Sequence, residues 1–169
     1  EGDHQREYRL LRANKNRYGS VNELGLFEMT GEGMRTVENA SETLLRDRAA
    51  GISGSVVFCS MEGSRPMLVD MQALAAQSFY PSPKRTANGI DQGRVALLLA
   101  VLEKRAGLRL YNQDVYVNVA GGLSLDEPAA DLAVCLAVAS SLSDKTLPHD
   151  VAAMGEVGLL GEVRPIPFL

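Results

Sequence analysis

The sequence predicts an α/β (α+β) domain, and three stretches carry that prediction. Val115, Val117 and Val119 alternate with Tyr116 and Asn118, the period of a strand, and this strand runs through Gly121-Gly122 into residues 129–142, which are almost all small or apolar. A helix that is apolar on every side is buried on every side, so the other elements should pack around it. Residues 91–106 form a second, amphipathic helix, with Val95, Leu98, Leu99, Leu102 and Ala106 on one face. Residues 55–60 and 66–74 are apolar strands separated by the turn Met61-Glu62-Gly63-Ser64, a hairpin.

From the N-terminus, residues 7–13 read as a strand with Tyr8, Leu10 and Arg12 on one side, and residues 24–29 as its return. Between them lies the basic run Lys15-Asn16-Arg17-Tyr18-Gly19. Residues two apart on an extended chain point the same way, so Lys15 and Arg17 project together. Residues 30–33 (TGEG) make a turn and not a phosphate loop. The G-x-x-x-x-G-K-[ST] spacing is absent here and elsewhere in the chain, so the chain by itself is not expected to bind ATP. Residues 36–48 are polar, with at most a short helix, and read as a connector.

In the hairpin, Met67, Val69 and Met71 alternate with Leu68, Asp70 and Gln72, which places Asp70 on the outward side. Residues 80–88 (YPSPKRTAN) read as a loop. Its prolines stiffen the chain around Lys84, Arg85 and Thr86, a composition suited to phosphate-backbone contact and equally to a solvated loop. In the helix that follows, Asp91 is the cap and Gly107 the stop. Arg94, Lys104, Arg105 and Arg109 make a basic stripe, although the helix dipole alone favours cations at Lys104 and Arg105 in the last turn. Before the apolar helix, Asp126 stands at the N-cap position and Pro128 in the first turn. Residues 143–150 are a loop whose His149 lacks a ligand partner, so no metal is expected. A short strand over 151–154 and a glycine-spaced turn and strand over 155–163 close the chain.

The length of 169 residues suits one domain plus an appendage, and a hydrophobic content of 46% is ample for its core. The net charge of −4 argues against a uniformly basic nucleic-acid binder but permits a local basic patch. Cys59 and Cys135 lie in apolar runs without a C-x-x-C, as core thiols of a reducing compartment do. With no membrane-length apolar run and no signal peptide, the expected location is the cytoplasm. The chain opens mid-pattern and stops at Pro167-Phe168-Leu169, so a piece of a longer protein is expected.

Strand, acidic turn and small-residue helix resemble the proteolytic domain of Lon proteases, where the turn reads D-G-P-S-A-G and its Ser is the nucleophile. Here it reads Asp126-Glu127-Pro128-Ala129-Ala130-Asp131, with Ala129 in the nucleophile position. The wording VYVNVAGGL…EPAADLA, the hairpin turn MEGSRP and the pentapeptide Lys15–Gly19 resemble more closely the RadA/Sms family of DNA-repair ATPases, whose K-N-R-F-G motif has Phe where Tyr18 stands. The run from Gly155 to Val163 is similar to the segment that precedes Lon's catalytic Lys, whose position falls just past Leu169.

The resemblance implies that residues 1–29 are the last strands of a RecA-like ATPase core, 30–48 a linker, and 49–169 a catalytically inactive, C-terminally incomplete Lon-like domain. It implies a ring-forming, ATP-driven DNA motor that acts on recombination intermediates, including branch migration. The ring is expected to be a hexamer, with single-stranded or branched DNA and a RecA-type recombinase as partners and no membrane. Lys15 and Arg17 would serve a neighbour's ATP site with Gly19 as the turn behind them, and Lys84, Arg85, Arg94 and Arg105 would face DNA. No cofactor is implied for this chain; ATP and Mg would act in the whole protein, and Zn in an upstream finger. Two rivals remain: a Lon-type serine peptidase whose nucleophile is displaced to Ser124, Ser140 or Ser141, and an assembly module of another ATPase that does not touch DNA.

Overall fold

The structure is a computed structural model that describes residues 8–12, 17, 24–62 and 65–166. Its first unit is a three-stranded antiparallel meander of β1 (Tyr8–Arg12), β2 (Leu24–Thr30) and β3 (Gly33–Thr36). Tyr8 pairs with Glu28, as the expected hairpin requires, while the hairpin tip lies outside the described residues apart from Arg17. The strand β3 is an addition to the sequence reading. Residues 30–33 do turn the chain: Thr30 Oγ1 donates to the Gly33 carbonyl at 2.8 Å, and Gly33 takes φ 119°, a value glycine alone adopts readily.

The stretch read as a connector is docked. It contains α1 (Ala40–Leu45), capped by Asn39, whose Oδ1 accepts the Glu42 N–H at 3.1 Å. Leu44 enters the main core, and Ser41 Oγ accepts the Leu68 N–H at 2.9 Å. Just past α1, Arg48 Nε donates to Ser55 Oγ at 2.9 Å, and its Nη1 donates to the His149 carbonyl at 2.9 Å.

The central sheet contains β4 (Ser55–Glu62), β5 (Arg65–Gln77), β6 (Arg85–Asn88) and β7 (Gln113–Val119), in the order β4-β5-β7-β6. The first two contacts are antiparallel and β6 runs parallel to β7. Parallel neighbours need a crossover, and α2 (Gln92–Arg105) supplies it. Residues 80–88 are therefore only partly the expected loop, since Arg85–Asn88 is an edge strand. Asp91 caps α2 as read, accepting the Arg94 N–H at 2.6 Å.

Phe58, Val69, Met71, Val115, Val117 and Val119 line the inner face of the sheet and are fully buried. Against them lie α2 and α3 (Asp131–Ser143). Ala133 and Ala137 have no exposed surface, so α3 approaches the sheet closely; the expected burial on every side holds for most of the helix but not for one face, where Leu132, Leu136 and Ala139 are half-buried and Ser143 is exposed. Its start differs from expectation. A 3-10 turn, Pro128–Ala130, precedes it; Pro128 sits in that turn, and Asp126 does not cap the helix. The expected strand over 151–154 reduces to a single bridge between Ala152 and Val57, and the chain ends its described part in a short hairpin, β8 (Glu156–Val157) and β9 (Val163–Arg164).

On the outer face of the sheet, Asn88 donates to Asn118 at 2.7 Å, Asn118 to Gln72 at 3.4 Å and Gln72 to Asp70 at 2.7 Å. Asp70 faces outward as read, yet it is only 2% exposed because Arg48 and Ser55 cover it: Ser55 Oγ donates to its carboxylate at 2.6 Å, and the Arg48 guanidinium forms an ion pair with it at 3.6 Å. Removing one partner of a buried pair leaves an uncompensated charge, at a cost of about 3–5 kcal/mol. Asp70→Ala should therefore lower the unfolding free energy measured in urea by that amount, while Arg48→Met combined with Asp70→Leu should recover most of it.

Candidate functional site

Two regions collect the chemistry, one at each end of β7 and α2. The first is the cleft beside Ala129. After β7, a 3-10 turn, Ala120–Gly122, places Gly121 at φ 75° and Gly122 at φ 67°, so both glycines are needed for the reversal. Leu125 then bonds back to Gly89, its N–H donating to that carbonyl at 2.7 Å. Ala129 is buried, and its carbonyl accepts the Gly155 N–H at 2.9 Å. The resulting cavity is about 290 Å³. Its ionisable lining is Asp91, Arg94, Asp126, Glu127, Asp131 and Glu156, five carboxylates and one guanidinium, and among the described residues no Ser, Thr, Cys, Lys or His stands in the wall.

Asp131 organises this cleft. Its carboxylate sits in the first turn of α3, where the helix dipole favours an anion. It receives both Arg94 Nε, at 2.9 Å, and Arg94 Nη2, and it accepts the Val157 N–H at 2.9 Å. Arg94 Nη2 also donates to the Val157 carbonyl at 3.1 Å. The guanidinium expected to face DNA thus engages a buried carboxylate. Nearby, Ser60 Oγ donates to Glu127 Oε1 at 2.5 Å. Burial, and the Asp131 charge next to it, push the Cys135 thiol up to about 12, so it is an inert core group. Of the candidate displaced nucleophiles, Ser140 Oγ donates to the Lys145 carbonyl at 2.5 Å and accepts the Gly54 N–H at 2.8 Å, and Ser141 Oγ accepts the Ala75 N–H at 2.9 Å. Ser124 is exposed and does not line the cleft.

The second region is built from residues 78–85 and 103–114. Ser78 N–H donates to the Asn112 carbonyl at 2.9 Å. Arg85 Nη2 donates to the Leu110 carbonyl at 2.8 Å and Arg85 Nη1 to that of Gln113 at 2.9 Å. Arg85 is therefore a staple between two loops, whereas Lys84 is exposed with its ammonium 4.8 Å from the Tyr80 ring centroid. Lys104, Arg105 and Arg109 are exposed at the same end. Asp114 ties this region together. It accepts the Lys84 N–H at 2.7 Å, and that bond, followed by the Ser78 hydroxyl, holds its carboxyl below the ordinary value.

Arg17 is an exposed bend residue, while Lys15 and Gly19 lie outside the described residues. Sequence reasoning passed over Asp131, Glu127 and Asp114. The available signal was a lone acid at the mouth of an apolar helix, and a lone acid opening a strand; each needs a partner when buried.

The chain is similar to known proteins along nearly its full length. The family of the Lon protease (S16) C-terminal proteolytic domain matches residues 101–169. The chain is 53% identical over 167 residues to the DNA repair protein RadA of Halalkalibacterium halodurans, covering 98% of the chain and 36% of that relative. It is 53% identical over 166 residues to the DNA repair protein RadA of Bacillus subtilis, again covering 98% of the chain and 36% of the relative. Against the DNA repair protein RadA of Escherichia coli K12 the identity is 50% over 167 residues, covering 99% and 36%. The chain thus spans about a third of the length of these relatives.

The lowered Asp114 carboxyl makes a pH prediction. A depressed folded-state value stabilises above the unfolded carboxylate pKa of about 3.9, and that stabilisation is lost as pH falls through the folded value. Urea titrations should show Asp114→Ala destabilised relative to the unaltered chain at pH 7, with the difference shrinking as pH falls below about 4.

Proposed function

This chain belongs to the RadA family of DNA repair proteins, and from that premise we propose that it is the C-terminal part of an ATP-driven DNA motor that processes recombination intermediates. In this reading its Lon-like domain is a ring-forming scaffold with a DNA-facing surface and no peptidase chemistry. The observation that carries the scaffold reading is the cleft at Ala129. Serine peptidase chemistry needs a nucleophile, and the described lining, with Ala129 beside it, supplies no Ser, Thr or Cys. Five carboxylates against one guanidinium also repel a phosphate backbone, so DNA belongs at the other end of the domain, where Lys84 and Arg105 are exposed.

Division of the cationic residues follows from their partners. Lys84 and Arg105 contact phosphate. Arg85 and Arg94 support the surface from within, because their guanidinium groups donate to backbone carbonyls and to Asp131. Identical wedges meeting head-to-tail close into a ring when the rotation allows it, and each ring subunit then carries Lys15 and Arg17 toward the ATP site of the next. A cation inserted there stabilises the charge gathering on the transferring phosphoryl oxygens, an effect of about 10³ to 10⁵ in rate.

Incubation of the chain with unfolded casein and a serine-reactive fluorophosphonate should give neither cleavage nor labelling; processive casein loss or a single labelled Ser would return the peptidase reading. In the whole protein, Lys15→Ala or Arg17→Ala should spare ATP and DNA binding and cripple hydrolysis. Rings mixed with subunits dead in their own ATP site should regain turnover, since an intact site then meets an unaltered neighbour. If mixed rings form and never recover, the pair acts within its own subunit and the trans assignment fails.

A further inference from the structure

The basic end of the domain also presents three large aromatic side chains to solvent. Phe79 is 92% exposed, Tyr111 70% and Tyr80 60%. Each heads or borders a segment that is held in place. Phe79 and Tyr80 follow Ser78, whose N–H donates to the Asn112 carbonyl at 2.9 Å, and Pro81 and Pro83 stiffen the loop after them. Tyr111 lies between Leu110, fully buried and gripped through its carbonyl by Arg85 at 2.8 Å, and Asn112. Asp114 closes the arrangement from below by accepting the Lys84 N–H at 2.7 Å. The aromatics thus project from two loops that are stapled to each other, a costly display for groups that water disfavours.

The charge around them is predominantly positive. Segments 78–85 and 103–114 contain Lys84, Arg85, Lys104, Arg105 and Arg109 against Glu103 and Asp114, five cations to two carboxylates in a chain of net charge −4. The acidic cleft lies at the far end of α2 and β7. Fourteen helical residues span about 21 Å, roughly two Debye lengths in 0.1 M salt, so its field is screened here. Exposed aromatics beside a cationic track are the elements of a single-strand binding surface: every base has a face that stacks, and phosphates follow the cations. Duplex DNA keeps its bases stacked on each other and offers an aromatic ring nothing comparable.

We propose that Phe79 and Tyr111 form a stacking platform for the bases of single-stranded DNA, with Lys84 and Arg109 holding its phosphates. Tyr80 carries the Lys84 ammonium over its ring and so fixes the cation beside the platform. Arg85 is a positioning residue that sets the spacing of the two loops. This deepens the DNA-facing reading above and rests on it.

Fluorescence anisotropy with a labelled oligo-dT of about 16 nucleotides, and with a blunt duplex in parallel, tests it. Phe79→Ala and Tyr111→Ala should each weaken oligo-dT binding by on the order of tenfold, leave its salt slope unchanged and barely affect the duplex. Lys84→Ala should weaken both and lower the slope by about one unit. The chain has no tryptophan, so Phe79→Trp introduces a single reporter at an exposed position, and oligo-dT should quench it as the complex saturates. If the alanine variants bind as tightly as the unaltered chain and the indole emission of the Phe79→Trp variant does not move, the platform is wrong while the phosphate surface stands. If the unaltered chain binds no DNA, both readings fall. If the alanine variants leave DNA affinity alone but reduce self-association, the aromatics are a contact between protein copies and the proposal is overturned.

Discussion

The domain depends on one buried carboxylate. Asp131 is 1% exposed at the start of the central helix, yet it reaches the three elements that must meet there. Through Arg94 it holds α2, through the Val157 N–H it holds β8, and its own position opens α3. A single acid in that place would be costly alone, since a buried charge without partners is strongly unfavourable. Paired with a forked guanidinium and a backbone amide it becomes directional, because the planar donors of Arg fit a carboxylate in only a few orientations. The wall of α3, with Ala133 and Ala137 against the sheet, supplies packing without direction. The Asp131 pair adds directed bonds at the mouth of the helix, beside the Gly155 segment that bonds to Ala129 and Leu132.

The same pair lies in the turn that resembles the Lon site. Where the Lon turn ends in Gly, this chain has Asp131, and where the nucleophile stands it has Ala129. The Asp131 carboxylate receives two guanidinium donors and a backbone N–H, all of them bonds within the fold. The cavity of about 290 Å³ lies at the end of a strand, and two of its lining side chains, Arg94 and Asp131, bond to each other.

Charge is segregated along the length of the domain. Carboxylates gather where α2 begins and cations where it ends, an order that also complements the helix dipole at its C-terminus. A net charge of −4 therefore conceals a basic surface. The staple residues Arg85 and Asp114 show that part of this charge is internal: one arginine and one aspartate join two loops and leave Lys84, Lys104, Arg105 and Arg109 on the outside.

Periodicity alone determined much of this molecule. The β7 alternation, the amphipathic α2 with its Asp91 cap and the all-apolar α3 were legible because each is a local pattern that decides burial by itself. Tertiary structure decided the rest. Arg85–Asn88 carries no strong strand pattern and becomes a strand because α2 brings β7 back alongside it. Asp70 has the outward direction its alternation gives and is nonetheless buried, since Arg48 arrives from a segment that reads as a connector. Arg85 and Arg94 look like surface cations in sequence and are engaged within the fold, because their partners at Leu110, Gln113 and Asp131 lie 25, 28 and 37 residues away. A charge's partner is a matter of distance in space, and that distance is set only once the helices have packed.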